Sequence, residues 1–367
     1  MPRILFNMPS QFVGRPSGVA RVAFELLHQL IGKGDFEYIL RSPWSAKQLP
    51  SFLQDRPLEV VVVPRSSILV LDVVRQALTF GSYCRSENID LVVNIDPYGA
   101  ATGGRARLMI VHDLYFKTIP QQIGWRAALT NDLIYRLMLG GNSEIVTVSN
   151  ATQADLEHWY PQTKGRITTI HSATSLQPER GQSSAPADIG RYVLAVGNAT
   201  ENKNFRALAE AVAIVYSSEP DISLVHVGDD PSEILAQTLQ HMNSAVRLVR
   251  FSGIDDVQLV TLYRNASCLC VPSLSEGFCL PILEAQICGC PVVCSDRSAM
   301  PEIAGKGAVL IDPTNPTALA TGLKSVLDNP EKAATLTQLG LENAKQFSWD
   351  RAARQYQDLF ARVLARC

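Results

Sequence analysis

The stretch Ser273-Leu-Ser-Glu-Gly-Phe-Cys-Leu-Pro-Ile-Leu-Glu284 decides how this chain is read. Just before it, the short apolar run from Cys268 predicts a buried strand that ends at Pro272. Glu276 and Gly277 then fall in a loop, and Pro281 takes a first-turn position of a helix, where a missing N–H is tolerated. Glu284 follows inside that helix. A helix N-terminus presents unpaired backbone N–H groups, here those of Gly277, Phe278, Cys279 and Leu280, to an anion or to sugar hydroxyls. Gly277 lets a ligand approach the main chain closely. The two carboxylates, one in the loop and one in the helix, reach different parts of an elongated ligand and accept hydrogen bonds from hydroxyls. As an isolated pair they read equally simply: Glu276 as a helix-end charge and Glu284 as a solvated helix residue.

Outward from this stretch, short β-branched runs alternate with helical ones. Candidate strands are Ile4–Phe6, Glu59–Val63, Leu91–Ile95, Leu108–Val111 and Ile145–Val148, then Tyr192–Val196, Leu224–Val227, Cys268–Val271, Pro291–Cys294 and Ala308–Ile311. Such alternation builds an α/β fold, and continuous apolar strands are those of parallel sheets covered on both faces. A length of 367 residues suggests two domains. The Pro-, Gly- and Ser-containing stretch Ser172–Pro186 reads as the linker, giving domains 1–180 and 181–348. A last helix, Trp349 to about Ala365, starts after Ser348 as N-cap and aligns Ala352, Tyr356, Phe360 and Val363 on one stripe.

Composition narrows the function classes. With 46% hydrophobic and 19% charged residues the chain has ample material for cores. Divided at residue 185, the first part carries 18 Lys+Arg against 15 Asp+Glu and the second 15 against 20, formal charges of +3 and −5. That mild asymmetry lacks the concentrated basic face of a nucleic-acid binder. It reads as scattered solvated surface, and it permits the first half to rest near an anionic membrane. No apolar run approaches the ~20 residues of a membrane span, and no signal-peptide core follows Met1, so a cytoplasmic protein is expected. Six of the eight cysteines lie between Cys268 and Cys294 without a C-x-x-C pair, and read as small buried hydrophobes, not as a metal site. Asp229-Asp230 and Asp255-Asp256 read as loop acids; no Asp-x-Asp motif suggests a metal, and none is expected.

The run from Ser273 through Ala285–Val293 and Met300–Gly305 to Asp312 strongly resembles the donor-binding region of the family 4 retaining glycosyltransferases, in which Glu-x7-Glu is the hallmark. Val196-Gly-Asn-Ala-Thr-Glu-Asn-Lys-Asn204 is similar to the strand-loop-helix with which that family places a lysine on the donor diphosphate. Asn204 then looks like an N-cap. Where many relatives carry a further basic residue this chain has Asn198 and Asn202, and Arg206, one turn on, reads either as a substitute or as an exposed helix arginine. Phe251-Ser-Gly-Ile254 with Leu262–Ala266 resembles the family's nucleobase loop. In the first half, Ser17-Gly18 stands where family members have Gly-Gly, and Val111-His112-Asp113 resembles the His-Asp motif whose histidine faces the transferred sugar. Val148-Ser-Asn-Ala-Thr152 resembles a structural turn.

The resemblance implies a GT-B fold: two Rossmann-like domains facing across a cleft, acceptor mainly on the first, donor mainly on the second, with the last helix, about 349–366, returning to the first. It implies transfer of a hexosyl group from a nucleoside diphosphate sugar, with GDP-mannose ahead of UDP-hexoses or dTDP-rhamnose, to a glycan or polyprenyl-linked glycan of surface-polysaccharide assembly. The implied roles are Lys203 on the diphosphate, Glu276 on sugar hydroxyls, Glu284 on the ribose and His112 on the sugar. The implied donor contacts also include Gly18, Asn198, Ile254, Gly277, Phe278, Cys279 and Leu280. Two rival readings stay open: a sugar-nucleotide-binding subunit without activity, and a nicotinamide dehydrogenase, which lacks support because no G-x-G-x-x-G follows the first strand.

Overall fold

In the computed structural model every residue is described except 12, 15–16, 34–35, 64–68, 142–143, 181–188 and 367. The chain forms two compact units, Met1–Ala173 with Ser348–Cys367, and Thr174–Phe347. The division falls between Ala173 and Thr174 and not at 180/181; residues 181–186 of the stretch read as a linker lie outside the described residues.

The first unit is built on seven parallel strands: β1 (Arg3–Asn7), β2 (Glu37–Ser42), β3 (Glu59–Val62), β4 (Leu91–Asn94), β5 (Ala106–Val111), β6 (Glu144–Thr147) and β7 (Ile167–Thr169), in the order β3-β2-β1-β4-β5-β6-β7. Between and around them run α1 (Gly18–Leu30), α2 (Ser51–Gln54), α3 (Leu69–Ser86), α4 (Tyr115–Thr118), α5 (Trp125–Gly141) and α6 (Asn150–Trp159). The second unit has six parallel strands, β8 (Arg191–Val196), β9 (Ile222–Val227), β10 (Arg247–Phe251), β11 (Cys268–Val271), β12 (Val292–Ser295) and β13 (Ala308–Ile311), in the order β10-β9-β8-β11-β12-β13. Its helices are α7 (Phe205–Tyr216), α8 (Ile234–His241), α9 (Asp256–Asn265), α10 (Leu280–Ile287), α11 (Met300–Ala304), α12 (Pro316–Leu327) and α13 (Pro330–Ala344); α14 (Trp349–Ala365) belongs to the first unit.

Among the central strands β4, β9 and β11 are buried along their whole length, because helices cover both faces of each sheet. Three strands were absent from the expected set. The β7 strand is a three-residue Ile-Thr-Thr edge of the first unit's sheet, and β10, an edge of the second unit's sheet, interrupts its apolar residues with Arg247 and Arg250. The interior β2 contains Arg41, whose guanidinium is buried against the Phe80 ring, 4.9 Å from its centroid, and bonded to Asn7 Oδ1 at 2.9 Å.

In both sheets the order reverses beside the first strand of the unit, between β1 and β4 and between β8 and β11. The loops leaving adjacent strands there run in opposite directions, which opens a crevice at the carboxyl edge. The α14 helix starts on the Ser348 hydroxyl, which accepts from the Arg351 N–H at 3.2 Å, and buries Ala352, Tyr356, Phe360 and Val363. Phe360 meets Phe6 and Phe36 edge-on, at 6.3 and 6.2 Å between ring centroids. Among the described residues no helix is long and apolar enough to cross a membrane.

Candidate active site

In the second unit the loops after β8 and β11 meet. Gly197 and Gly228, at φ of 126° and 143°, turn the chain at the ends of β8 and β9, and a Cβ on Gly228 would collide with the Gly197 carbonyl. Only glycine permits that approach. The Gly197 carbonyl accepts a hydrogen bond from His226 Nε2 at 2.8 Å, while Asn198 Oδ1 accepts from the Asp229 N–H at 3.0 Å. A carbonyl can only accept, so Nε2 of His226 carries the proton. Burial lowers that imidazole's pKa, and among the described residues its Nδ1 has no hydrogen-bond partner. His226 therefore shapes the loop that Lys203 crosses.

Lys203 ends a single 3-10 turn, Glu201–Lys203, and lays its stem over Gly197. Its Nζ donates to Glu276 Oε1 at 2.6 Å, and Ser273 Oγ donates to the same oxygen at 2.8 Å. Both side chains of the ion pair are largely sheltered from water, 20% and 12% exposed. The main chain of Glu276 is clamped by Ser298, whose hydroxyl donates to the Glu276 carbonyl at 2.6 Å and accepts from its N–H at 3.3 Å. Asn202 stitches the two loops together: its main-chain carbonyl accepts from the Leu274 N–H at 2.7 Å and its side-chain amide donates to the Ser275 carbonyl at 3.3 Å. Arg206 is exposed on α7.

Asn204 does not cap α7 with its side chain. It sits in the left-handed region at φ 55° and its amide donates to the carbonyls of Pro272, at 3.3 Å, and Pro313, at 2.7 Å. The amide thus joins three segments, a use that helix-start statistics do not reveal.

Glu284 is not a solvated helix residue. It is 7% exposed, and Tyr263 on α9 donates its hydroxyl to Oε2 at 2.8 Å. Burial, then the glutamate's charge, pushes the Tyr263 phenol far above its usual range, so the hydroxyl stays a donor. The loop between β10 and α9 carries Gly253 at φ 70° and the half-buried Ile254. Between the two glutamates, Gly277 is partly open, whereas Phe278 packs inward against Phe347, 6.0 Å between centroids, and Cys279 is buried in the left-handed region at φ 75°. What Phe278, Cys279 and Leu280 offer a ligand is therefore main chain, just ahead of and at the start of α10.

The acidic pairs are structural. Asp229 accepts from Ser252 Oγ at 2.6 Å, Asp230 from the Ile234 N–H of α8 at 3.0 Å, and Asp255 from the Gln258 N–H of α9 at 2.8 Å. The described cysteines are all free and buried, and burial pushes Cys268 and Cys288 up to about 12. Among the described residues no three His, Cys, Asp or Glu side chains cluster to hold a metal.

In the first unit, His112 leaves β5 and lines a cavity of about 170 Å³ with Ser10, Asp96, Tyr98, Asn131 and Tyr135. Ser10, Asp96 and His112 follow β1, β4 and β5, which converge where the sheet order reverses. His112 Nε2 donates to the Ile95 carbonyl at 3.0 Å, and burial pushes the imidazole down to about 4, so it is neutral at physiological pH. Asp96, missed in the sequence, is almost wholly buried; its carboxylate accepts from Ser10 Oγ at 2.6 Å and from the Tyr98 N–H at 3.1 Å, and burial raises its pKa. A carboxylate at the end of an apolar run, Leu91-Val-Val-Asn-Ile-Asp96, was the available signal. Asp113 orients the loop, its carbonyl accepting from Tyr135 OH at 3.1 Å. Ser149 caps α6 through the Thr152 N–H at 3.0 Å. Gly18 opens α1 behind the Ser17 cap and is exposed; Val19 next to it lines the cavity, and Gly18 does not.

Residues 178–342 match the family described as Glycosyl transferases group 1, and residues 16–177 match Glycosyltransferase Family 4. The chain is 30% identical over 225 residues to the O-antigen chain mannosyltransferase B of Escherichia coli, a match covering 58% of either chain. It is 27% identical over 244 residues to a D-inositol 3-phosphate glycosyltransferase of Corynebacterium glutamicum, covering 61% of this chain and 58% of that one. The matched stretches thus span little more than half the length of these relatives. Sucrose-phosphate synthase from Thermosynechococcus elongatus superposes over the whole of both chains with a TM-score of 0.78 at 20% identity, which shows a shared GT-B fold. With both units matched and the Glu276–Glu284 stretch inside the second match, the chain belongs to the family 4 glycosyltransferases.

Proposed function

We propose that the protein transfers a hexosyl group from a nucleoside diphosphate sugar to a glycan or lipid-linked glycan hydroxyl, with retention of anomeric configuration. The observation that carries this reading is the convergence of Lys203 and Glu276 at 2.6 Å on the loops that follow the two adjacent strands, β8 and β11, where the second sheet reverses. The two side chains bond each other directly. A diphosphate takes over the lysine's charge, and sugar hydroxyls take over the carboxylate's acceptor oxygens. Glu284, oriented by Tyr263, accepts from the ribose.

In the step proposed, the bond from the anomeric carbon to the leaving phosphate oxygen breaks while that carbon bonds the acceptor oxygen on the same face. The leaving phosphate oxygen takes the acceptor's proton. Lys203 offsets the charge that develops on the diphosphate, so no metal is assigned. Neutral His112 offers a dipole and not a second positive charge, and the Asp96 cavity beside it holds acceptor hydroxyls.

The E. coli relative's name supports mannose as the transferred sugar and an O-antigen-type glycan as acceptor; GDP-mannose is the donor we propose for it. The reading includes a cytoplasmic location with peripheral contact at the inner face of the membrane. A thermal-shift panel of GDP-mannose, UDP-glucose and dTDP-rhamnose, followed by product formation with the stabilising donor, tests it. Stabilisation by one diphosphate sugar with product of the same anomeric configuration is expected. Binding without any product would instead establish a silent binding subunit.

A further inference from the structure

The α5 helix is apolar on two sides. Its packed side buries Ile134, Tyr135, Met138 and Leu139 in the first unit's core. Its outward side carries Trp125, Leu129, Leu133 and Leu137, exposed by 71, 62, 68 and 52%. Each i+4 step turns a helix by about 40°, so these four lie within an arc of roughly 120°. An apolar arc opposite a packed one is the pattern of a helix that is covered on both sides.

We infer that the outward face of α5 docks on an anionic lipid surface. The charges in that arc are Arg126 and Arg136, with no carboxylate among them, while Asp132 is turned inward and bonds Lys117 at 2.8 Å and Arg136 at 3.1 Å. The Arg126 guanidinium lies over the Trp125 ring, 5.2 Å from its centroid. Tryptophan flanked by arginine is the combination that settles at headgroup depth, where the ring spans the polar boundary and the guanidinium meets phosphate. Area argues against a second copy as the occupant. From Trp125 to Leu137 the face is ~18 Å long and ~10 Å wide, on the order of 200 Å², against ~800 Å² per partner in a standard protein interface. Insertion into a lipid surface requires no such minimum.

The face also has a connection to the cavity. Asn131 and Tyr135, from the other side of the same helix, line the His112 cavity, so docking through α5 sets that cavity close to the bilayer surface. The surface rests on α5 alone; its use, to meet a lipid-linked acceptor, rests on the transferase reading above.

The test is co-sedimentation of the full chain with phosphatidylcholine vesicles with and without phosphatidylglycerol, alongside a Leu129→Gln/Leu133→Gln pair and Arg126→Gln. The parent is expected to bind anionic vesicles, the leucine pair at least about tenfold more weakly, and Arg126→Gln about fivefold more weakly. Both variants keep the parent's melting temperature, since these side chains face water. Equal pelleting of parent and leucine pair, or no pelleting of the parent, would overturn the inference. So would a parent that sediments as a dimer in vesicle-free buffer and is split by the leucine pair. Calorimetric titration with GDP-mannose without vesicles reads the transferase assignment separately, and the leucine pair leaves it unchanged.

Discussion

Glu276 is held at three points, by Lys203, Ser273 and the Ser298 hydroxyl, so its carboxylate is placed before any ligand arrives. Glu276→Gln keeps the shape and removes the charge. A hydrogen bond to a charged group contributes about 1.5–3 kcal/mol, so transfer is expected to fall roughly 10- to 150-fold with little change in melting temperature. Steady-state rates on the identified donor check this, and an unchanged turnover number excludes the role. For Tyr263→Phe the buried Glu284 carboxylate loses its 2.8 Å donor. A stability loss of about 1.5–3 kcal/mol in urea unfolding is expected, with a higher KM for the donor and less effect on kcat. His112 makes a pH prediction. Its folded pKa of about 4 lies below the ordinary 6.5, so between these values the unfolded chain binds more protons. This group's contribution to stability is thus intact above pH 6.5 and is lost as pH falls towards 4. Asp96, whose pKa is raised, has the opposite sign, which makes direct observation preferable. In an NMR titration the His112 Cε1 proton should not move above about pH 5; a midpoint near 6.5 would contradict its burial.

At the scale of elements, Asn204 and Phe360 are the telling cases. Asn204 turns the chain through the left-handed region into α7 and fastens it to the loops of Pro272 and Pro313. Asn204→Gly keeps the turn and loses both bonds, whereas Asn204→Ala also meets the left-handed penalty of about 1–2 kcal/mol, so the alanine variant should unfold first in a urea series. Phe360, fully buried between Phe6 and Phe36, anchors α14; Phe360→Ala should cost about 3–5 kcal/mol. The α14 stripe and its Ser348 cap were legible because they are local: one period and one hydroxyl. The strands β2, β7 and β10 were not. Two are edges, which need no continuous apolar run, and β2 hides its arginine in a polar network whose partners, Asn7 and Gln76, are distant in sequence. Asn204 does stand at the N-cap position of α7, but the use of its side chain was hidden for the same reason, since its partners lie 68 and 109 residues away.

For the whole molecule, the parallel α/β plan and the donor stretch were readable because most central strands carry a short continuous apolar run and because Glu276, Gly277, Pro281 and Glu284 lie in one short run. What the residues could not declare was who stands beside whom: Tyr263 under Glu284, His226 beneath Gly197, Asp96 and Ser10 around the His112 cavity. Each pairing depends on sheet order, which reverses at β1/β4 and β8/β11 and brings together loops far apart in the chain. The charge pair of Lys203 and Glu276 is the product of that reversal, and it carries the functional account. Its most direct test is calorimetric titration of the full chain and of Lys203→Ala with the nucleoside diphosphate sugar that stabilises the parent. A parent that binds and a variant weakened at least about tenfold are predicted. Equal affinity in the two proteins, or a parent that binds no such donor, would contradict it.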